Sequence, residues 1–170
     1  ALMAAPLGSA ASGAPRTSYR PRFHLTPPSG WMNDPNGFCA FGGKVHLFYQ
    51  HNPRRPAWGR MHWGHAVSDD FVTWSHEAIA LRPDGFWEAF LGCFSGSALV
   101  EAGSLELFYT GFSFLGQYQL SAVSEDGRSF RKVRRPCIGP GALPPGSSPL
   151  AFRDPKVFAA RDGTYRCLLG

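Results

Sequence analysis

Residues 31–37, Trp-Met-Asn-Asp-Pro-Asn-Gly, hold a single carboxylate, Asp34, on a rigid turn beside an aromatic side chain. Pro35 fixes its own φ angle and restricts Asp34 to extended conformations, and Asn36-Gly37 is a strong turn dipeptide. A carboxylate held next to the flat face of Trp31 could act as the nucleophile of a sugar-cleaving enzyme. The same residues also fit a purely structural role, an Asx-turn before a strand in which Asp34 caps its own backbone.

The composition around this segment indicates a domain built from short strands and many turns. The chain has 170 residues, with 20 glycines, 15 prolines and 14% aromatic residues, which is enough for one domain with a real core. No apolar run approaches the roughly 18 residues needed to span a bilayer, so no membrane partner is predicted. Residues 1–18 are rich in Ala, Gly, Ser and Pro and are predicted to form a disordered or flexible leader.

The same leader bears on processing and location. Its apolar stretch is short, Pro6 breaks it, and no Lys or Arg precedes it, which argues against a secretory signal. Because the first residue is Ala rather than Met, we expect a sequence that is incomplete or processed. The missing signal favours a cytoplasmic location.

Charge and cysteine usage narrow the set of partners. The net charge is +5, concentrated in arginine clusters at 16–22, 54–55 and 128–135. No nucleic-acid-binding motif accompanies these clusters, so no nucleic-acid partner is predicted, whereas an anionic small substrate would fit the same charge. The cysteines at 39, 93, 137 and 167 lack the spacing of a metal site, so neither a metal nor another cofactor is predicted. Cys39, Cys93 and Cys167 lie in or beside apolar runs and are predicted to be buried thiols in a reducing compartment.

The chain repeats itself with a period of about sixty residues. Three pairs of segments match in the same order: His46–Gln50 with Glu106–Thr110, Ala66–Asp70 with Ala122–Asp126, and Asp34-Pro35 with Asp154-Pro155 two periods later. Strand-like segments separated by turns recur within each period. Their predicted bounds are Phe38–Phe41, Val45–Gln50, Gly64–Ser68, Trp74–Ile79, Phe94–Val100, Leu105–Thr110, Tyr118–Ser124, Phe130–Val133, Val157–Ala160 and Tyr165–Leu169.

Four strands per unit at a long, regular period are typical of β-propeller blades. A β-sandwich with chance internal similarity is the alternative. The predicted blades cover about 34–81 and about 92–134, and a third begins at about 152–170. A ring needs at least about four blades to close, so we expect the chain to be part of a longer propeller.

Five ordered motifs resemble glycoside hydrolase family 32, the β-fructofuranosidases, which include invertases, sucrose-6-phosphate hydrolases, inulinases and levanases. The motifs are residues 19–37, LFYQHNP at 47–53, WGRMHWGHAVS at 58–68, GCFSGSA at 92–98 and FRDPKV at 152–157. The likeness is greatest to the bacterial sucrose-6-phosphate hydrolase branch. It implies an all-β fold, a five-bladed β-propeller with four antiparallel strands per blade, followed by a β-sandwich. About two and a half blades would lie within 19–170.

The resemblance also implies roles for individual residues. It makes Asp34 the nucleophile and Asp154 the stabiliser of the transition state, and it implies no cofactor. The substrate would be a small molecule, namely sucrose, sucrose-6-phosphate or a fructan. The positions that match the substrate-binding residues of the family are Asn33, Gln50, Trp58, Phe94, Ser95 and Arg153.

Each of these residues also has a structural alternative. Gln50 could be an exposed strand end, Trp58 and Phe94 could belong to the core, and Ser95 could be an ordinary strand residue. Arg153 and Asp154 could form a structural ion pair. For His62 and His65, packing or hydrogen bonding is expected in place of a metal or general-base role.

The chain lacks an evident proton donor, which a retaining glycosidase needs. In the family this donor is a Glu in a Glu-Cys motif, and none of the glutamates at 77, 88, 101, 106 and 125 precedes a Cys. Glu88 lies in a loop that could approach the mouth of the site, but it is not expected to replace the acid. The 170 residues alone are therefore predicted to be inactive. The alternatives are a non-catalytic sugar-binding module and a truncated remnant.

Overall fold

Two four-stranded antiparallel sheets and one two-stranded hairpin follow each other along the chain. The computed structural model describes residue 21 and residues 24–170, so the leader predicted at 1–18 lies outside the described residues. The strands are β1 (Trp31–Phe41), β2 (Lys44–Asn52), β3 (His62–Ser68), β4 (Ser75–His76), β5 (Gly92–Glu101), β6 (Ser104–Ser113), β7 (Gly116–Ser124), β8 (Arg131–Lys132), β9 (Lys156–Ala159) and β10 (Tyr165–Leu168). Within 21 and 24–170, no helix is long and apolar enough to cross a membrane.

Each sheet has the strand order of a propeller blade. The first sheet is β1-β2-β3-β4 and the second is β5-β6-β7-β8, so neighbours in sequence are neighbours in the sheet, while β9 and β10 form the hairpin. Nine of the ten strands lie where the sequence predicts them, but β1 begins at Trp31 and not at Phe38. Residues 31–37, which the sequence predicts as a turn, pair with β2 as part of this strand, and β-bulges take up the irregularity. The fourth strands are shorter than predicted. After β4, residues 77–81 bond to β3 irregularly, since the Glu77 N–H donates to the His65 carbonyl and the Ala80 N–H to the Trp63 carbonyl. After β8, the Val133 N–H donates to the Ser121 carbonyl, but the regular ladder does not continue.

Tight turns with left-handed backbone join the first two strands of each blade. Gly42 and Gly43 connect β1 to β2 with φ of 56° and 75°, and Ala102 and Gly103 connect β5 to β6 with φ of 47° and 77°. Positive φ at both central residues is the requirement of the type I′ turn, whose twist matches that of the flanking strands. These turns fix the register of each hairpin and therefore the face on which every inner-strand side chain emerges.

The hydrophobic core joins the first sheet to the second. Trp63, fully buried on β3, donates its indole N–H to the carbonyl of Phe94 at 2.9 Å, and its ring centroid lies 6.2 Å from that of Tyr109. The buried cluster is formed by Phe48, Trp63, Leu81, Cys93, Leu105, Leu107, Tyr109, Leu120 and Ala122. Because residues of both sheets share this one core, the two blades pack as a unit.

A buried histidine pair lies against this core. The Nε2–H of His46 donates to the Phe41 carbonyl (3.2 Å), so its Nδ1 accepts from the Nε2–H of His65 (3.0 Å). The His65 ring stacks on Phe48 with centroids 4.3 Å apart. Burial, and next the neighbouring His46, lower the pKa of His65 to about 3. Packing and hydrogen bonding are thus the roles of His65, as the sequence predicts.

The cysteines differ in part from their predicted burial. All four thiols are free; Cys93 is buried as predicted, but Cys39 and Cys167 are only half-buried and Cys137 is exposed. Cys167 lies on β10 of the hairpin, which is covered on fewer sides than the two complete sheets. Burial raises the pKa of the Cys39 thiol to about 11, so it resembles a small apolar side chain more than a reactive thiolate.

The neutral histidines predict a loss of stability in mild acid. The pKa of His65 is about 3 in the folded chain but ordinary, near 6.5, in the unfolded chain, so only the unfolded chain takes up the proton between these values. The contribution of the neutral His65 to the free energy of unfolding is therefore complete above pH 6.5 and is lost progressively as the pH is lowered below that value. We expect His65 to contribute about 2 kcal/mol to the loss between pH 7.5 and pH 5. Urea unfolding at both pH values measures it.

His65→Phe keeps the stacking on Phe48 and removes the titrating group, so its loss of stability between the two pH values should be smaller by about 2 kcal/mol. His24→Phe, at an exposed position, serves as the control and should keep the full loss. An equal loss in His65→Phe and the unmodified chain would contradict the assignment.

Candidate functional site

Two matching β-bulges present the candidate side chains. In β1, Met32 pairs with His51 and Pro35 with Tyr49, so three steps along β1 oppose two along β2, and the extra residue lies at Asn33-Asp34. In β5 the same irregularity falls between Cys93 and Gly96, at Phe94-Ser95. A bulge bends its strand and redirects a side chain, and bulges are over-represented next to active sites. Asp34 and Ser95 therefore occupy equivalent positions in the two blades, although the repeat in the sequence does not show it because the residue types differ.

A hydrogen bond joins the two bulges. The Ser95 hydroxyl donates to Oδ2 of Asp34 at 2.8 Å, which orients the carboxylate from the neighbouring blade. Asn33 is held from the other side, because its Oδ1 accepts the indole N–H of Trp31 at 2.8 Å. Asp34 is exposed and Ser95 half-buried, so this pair lies at an accessible surface.

Trp58 and Phe94 form an aromatic wall beside the two bulges. The Trp58 side chain is 47% exposed and meets Phe94 edge-on, with ring centroids 6.1 Å apart. Phe94 in turn rests edge-on against Phe112 at 5.2 Å. Neither Trp58 nor Phe94 is a core residue, which was their structural alternative, and both expose apolar ring surface.

Gln50 links the two blades beneath this wall. It is only 3% exposed, so it is not the solvent-exposed strand end that was its alternative. Its side-chain N–H donates to the carbonyl of Cys93 at 3.0 Å, one residue before the second bulge. Gln50 thereby fixes the backbone from which Phe94 and Ser95 project.

Asp154 lies on a left-handed backbone at the entrance to the third blade. Its φ is 59°, a conformation that Asp tolerates better than most residues but that still carries strain. The Nε of Arg153 lies 3.6 Å from its carboxylate, and both side chains are about half exposed, so this is an open ion pair. Burial raises the pKa of the Asp154 carboxyl; Arg153 opposes that shift, and the charge of Asp34 adds to it.

A buried polar network from the second blade holds this strained segment. Thr110, which is fully buried, accepts the Asp154 N–H on its hydroxyl at 3.0 Å and donates that hydroxyl to Gln119 at 2.7 Å. Gln119 donates to the Phe152 carbonyl at 2.7 Å. The Ser97 hydroxyl donates to the Pro155 carbonyl at 2.8 Å and accepts the N–H of Val157 at 3.0 Å.

The sequence analysis missed these positioning residues. The signal was available in the repeat, since Thr110 aligns with Gln50 and each fixes the backbone of the following blade. The shared role is not evident from the sequence, because the first blade has Gln50 at this position and the second has Thr110.

Glu88 does not lie at the mouth of the site, which its loop could have approached according to the sequence analysis. It is 2% exposed; its Oε1 accepts the Tyr109 hydroxyl at 2.7 Å and the Lys132 ammonium at 2.9 Å, and its Oε2 accepts the Gly85 N–H at 3.0 Å. Three partners occupy both oxygens because a buried carboxylate needs such compensation. Glu88 therefore ties the 85–88 turn to the second blade and is no substitute acid.

Asp34, Ser95, Trp58 and Phe94 thus form an open surface with one carboxylate, one hydroxyl and an aromatic wall, and β5 connects it through Ser97 to the segment that carries Asp154. Carboxylates that accept hydrogen bonds from hydroxyl groups, next to an exposed ring face, suit a neutral polyhydroxylated ring such as a sugar. Within the part of the chain that the structure describes, no three His, Cys, Asp or Glu side chains come together as metal ligands.

Comparison with known protein families shows to which family the chain belongs. Residues 24–170 match the model described as the glycosyl hydrolases family 32 N-terminal domain. The chain belongs to glycoside hydrolase family 32. The resemblance carried by the five sequence motifs is thus confirmed, and the two sheets and the hairpin are about two and a half blades of the five-bladed propeller of this family.

Two bacterial relatives illustrate the family 32 match. The chain is 46% identical over 154 residues to sucrose-6-phosphate hydrolase of Escherichia coli, covering 85% of this chain and 31% of that protein. It is 43% identical over 162 residues to the raffinose invertase of Escherichia coli, covering 90% of this chain and 32% of that one. The chain therefore spans about a third of the length of these curated relatives.

A solved family 32 structure shows the same architecture. The GH32 beta-fructofuranosidase BmSUC1 of Bombyx mori matches with a TM-score of 0.75 and 41% identity, over 89% of this chain and 32% of that one. A variant of the same silkworm enzyme was solved in complex with sucrose.

The network around Asp154 predicts an effect of Thr110→Val, which keeps the shape of the side chain and removes its hydroxyl. The change leaves the Asp154 N–H and the Gln119 Oε1 without a partner, so we expect the free energy of unfolding to fall by about 1–3 kcal/mol. The Asp154 amide should also lose its protection against hydrogen exchange. Urea unfolding and amide exchange measure the two effects.

Thr110→Ser is the matched control, because it loses the methyl group but keeps the hydroxyl. It should retain the amide protection even though it leaves a small cavity. If Ser and Val at this position lose protection equally, the hydroxyl does not hold Asp154.

Proposed function

We propose that the whole protein hydrolyses terminal β-D-fructofuranosides, with retention of configuration, through a covalent fructosyl intermediate on Asp34. The observation that carries this proposal is the hydrogen bond from Ser95 to Oδ2 of Asp34 across two bulged strands. It fixes the carboxylate while Oδ1 accepts no hydrogen bond from the residues that the structure describes. A retaining glycosidase needs a carboxylate oxygen held in this way for attack.

In the first step, Oδ1 of Asp34 forms a bond to the anomeric carbon of fructose as the glycosidic bond to the leaving group breaks. A proton passes from an acid to the leaving oxygen, so that the leaving sugar departs neutral. In the second step, water attacks the same carbon, its proton returns to the conjugate base of that acid, and the bond to Asp34 breaks. Two inversions give overall retention.

Asp154 would stabilise the positive charge that develops on the sugar ring between these bonded states. Its carboxylate can accept hydrogen bonds from fructose hydroxyls and supply negative potential together. Arg153 at 3.6 Å limits the repulsion between Asp154 and Asp34, and Thr110 holds the backbone that aims Asp154. These two contacts support its role as a stabiliser.

The remaining predicted residues would bind and orient the sugar. Trp58 and Phe94 offer exposed ring surface against which a sugar can pack while water is excluded. Asn33 lies next to the nucleophile within the same bulge. Gln50, whose side-chain N–H is taken by Cys93, would act mainly by positioning the second bulge.

Sucrose and its 6-phosphate are the substrates that we propose, and fructans would enter the same fructosyl pocket. Support comes from the names of relatives, which include sucrose-6-phosphate hydrolase, raffinose invertase and levanase, and from the sucrose bound to the variant silkworm enzyme. A cytoplasmic location stays a prediction.

The proton donor, we propose, lies outside the 170 residues. Glu88 is buried against Lys132, Glu77 pairs with Arg128 at 3.6 Å, and Glu101 contacts the Tyr165 hydroxyl. Glu106 lies near the middle of β6 and Glu125 is exposed just after β7. None of the five glutamates contacts Asp34, Ser95 or Asp154.

Asp34→Asn in the full-length protein should lower kcat for sucrose or sucrose 6-phosphate by about three decades or more, because the amide is a far weaker nucleophile. Steady-state hydrolysis of both substrates measures the loss. Asp69→Asn, at an exposed carboxylate that pairs with Lys44 on the blade surface, is the control and should keep normal turnover.

Proton NMR of the first product sugar tests the stereochemistry in the same samples. Retention predicts that β-fructofuranose appears before mutarotation. An inverted anomer appearing first would overturn the covalent mechanism, and normal turnover by Asp34→Asn would overturn the role of Asp34.

The 170-residue chain alone should hydrolyse neither substrate at an appreciable rate. Loss of proton donation costs roughly two to four decades of rate, and a fructose pocket with fewer blades around it is less enclosed. Turnover by a purified, monodisperse preparation of these 170 residues, compared with the full-length protein, measures the difference. Activity near the full-length value would show that the acid lies within the 170 residues.

A further inference from the structure

A cavity of about 420 Å³ lies where the β2–β3 loop meets residues 82–84. Its wall contains four arginines, which is an unusual concentration of positive charge in a concave surface. The arginines are Arg54, Arg55, Arg60 and Arg82, and we call this cavity the arginine pocket. Its volume is within the range of small-molecule sites.

Hydrogen bonds and packing hold the β2–β3 loop in the shape that forms the pocket. The buried Asn52 accepts the Arg54 N–H at 3.1 Å and donates to the Ala57 carbonyl at 2.8 Å. A Cβ on Gly59 would come within 2.8 Å of the Asn52 amide nitrogen, so Gly59 packs closely against it. Arg60 closes the other side by donating to the Pro83 carbonyl at 2.7 Å.

The positive charge in the arginine pocket is not neutralised by the surrounding protein. None of its four arginines forms an ion pair with a carboxylate in 24–170. Asp84, the one carboxylate in the wall, lies 2.6 Å from the ammonium of Lys132, whose charge offsets it. His62 adds no charge near neutral pH, because burial lowers its pKa to about 4. Like charges that converge in a cleft create a strong local potential for an anion.

The chemistry of the wall favours a phosphate group over a carboxylate. A phosphate monoester carries close to two negative charges and three oxygen acceptors, which matches several guanidinium forks, whereas one carboxylate satisfies only one fork. The pocket is connected to the candidate site by the sheet, because Asn52 in its wall pairs with Trp31, three residues before Asp34 on β1; the β2–β3 loop also carries Trp58 of the aromatic wall.

We propose that the arginine pocket binds the phosphate of a phosphorylated saccharide while the fructosyl end of that saccharide lies at Asp34. This assignment rests on the proposed function, because it takes the fructosyl site as the anchor of the substrate. The pocket then selects a substrate whose leaving group carries phosphate. Free inorganic phosphate is the other source of the same chemistry, and the experiment below separates the two.

The experiment compares kcat/KM for sucrose 6-phosphate and for sucrose in the full-length protein. The Arg54→Gln/Arg82→Gln double variant removes two guanidinium groups from the pocket. It should lower the ratio of the two kcat/KM values by at least about tenfold, because hydrogen bonds to a charged group are lost only for the phosphorylated substrate. The matched control removes the same two charges outside the pocket, at the exposed Arg131 and Arg161. Arg131→Gln/Arg161→Gln should keep the ratio.

Calorimetry in a phosphate-free buffer tests the pocket separately from hydrolysis. The unmodified protein should bind glucose 6-phosphate at least about tenfold more tightly than glucose, and the pocket double variant should lose that preference. If neither sucrose nor its phosphate is hydrolysed, the proposed function fails, and this binding result still decides whether the pocket holds phosphate.

Three outcomes would overturn the proposal. The first is no preference for glucose 6-phosphate over glucose, and the second is an equal ratio of kcat/KM in the pocket variant and the matched control. The third is binding of inorganic phosphate as tight as that of glucose 6-phosphate, with no preference for the phosphorylated substrate, which would make the pocket a site for free phosphate.

Discussion

Buried polar side chains that bond to the backbone of the next blade are the constraint on which the rest of the structure depends. At the first junction these side chains are Asn36, Gln50 and Trp63. At the second they are Ser97, Thr110 and Gln119. The two sets occupy matching positions: Gln50 faces Trp63 across β2 and β3, as Thr110 faces Gln119 across β6 and β7. Each buried donor or acceptor left unpaired would cost about 1–3 kcal/mol, so the junctions have little freedom.

The same bonds end at the backbone that carries the candidate chemistry, which connects stability to the site. The bonds of Gln50 and Trp63 end at Cys93 and Phe94, immediately before Ser95 and its bond to Asp34. The bond of Thr110 ends at Asp154 itself, whose φ of 59° needs a partner that holds it. Strained backbone persists only where its surroundings determine it, and here a neighbouring blade does so.

The amino-acid sequence was sufficient for most of the strands and for the blade repeat, because these depend on local patterns, whereas the roles of the two acidic residues stay predictions. Alternating apolar residues and glycine turns define each hairpin, and Asp-Pro recurs at its own spacing. The bulges could not be predicted, since the extra residue in β1 or β5 becomes visible only against the register of β2 or β6. The burial of Glu88 was equally hidden, because its partners Tyr109 and Lys132 come from later strands. A short stretch of sequence does not reveal these contacts, because they join residues that are far apart along the chain.

The second blade is therefore the template that sets the relation between the two carboxylates. Asp34 belongs to the first blade and Asp154 to the entrance of the third, and within the described residues no hydrogen bond joins their side chains. Ser95 at the start of β5 orients Asp34, while Ser97, two residues further along the same strand, binds the Pro155 carbonyl next to Asp154. A single strand thus contacts both acidic segments. Because β5 is anchored by Gln50 on one side and by the ladder to β6 on the other, it gives both acidic segments a fixed reference: Asp34 lies in a paired strand, and the loop with Asp154 is held by hydrogen bonds to Ser97 and Thr110.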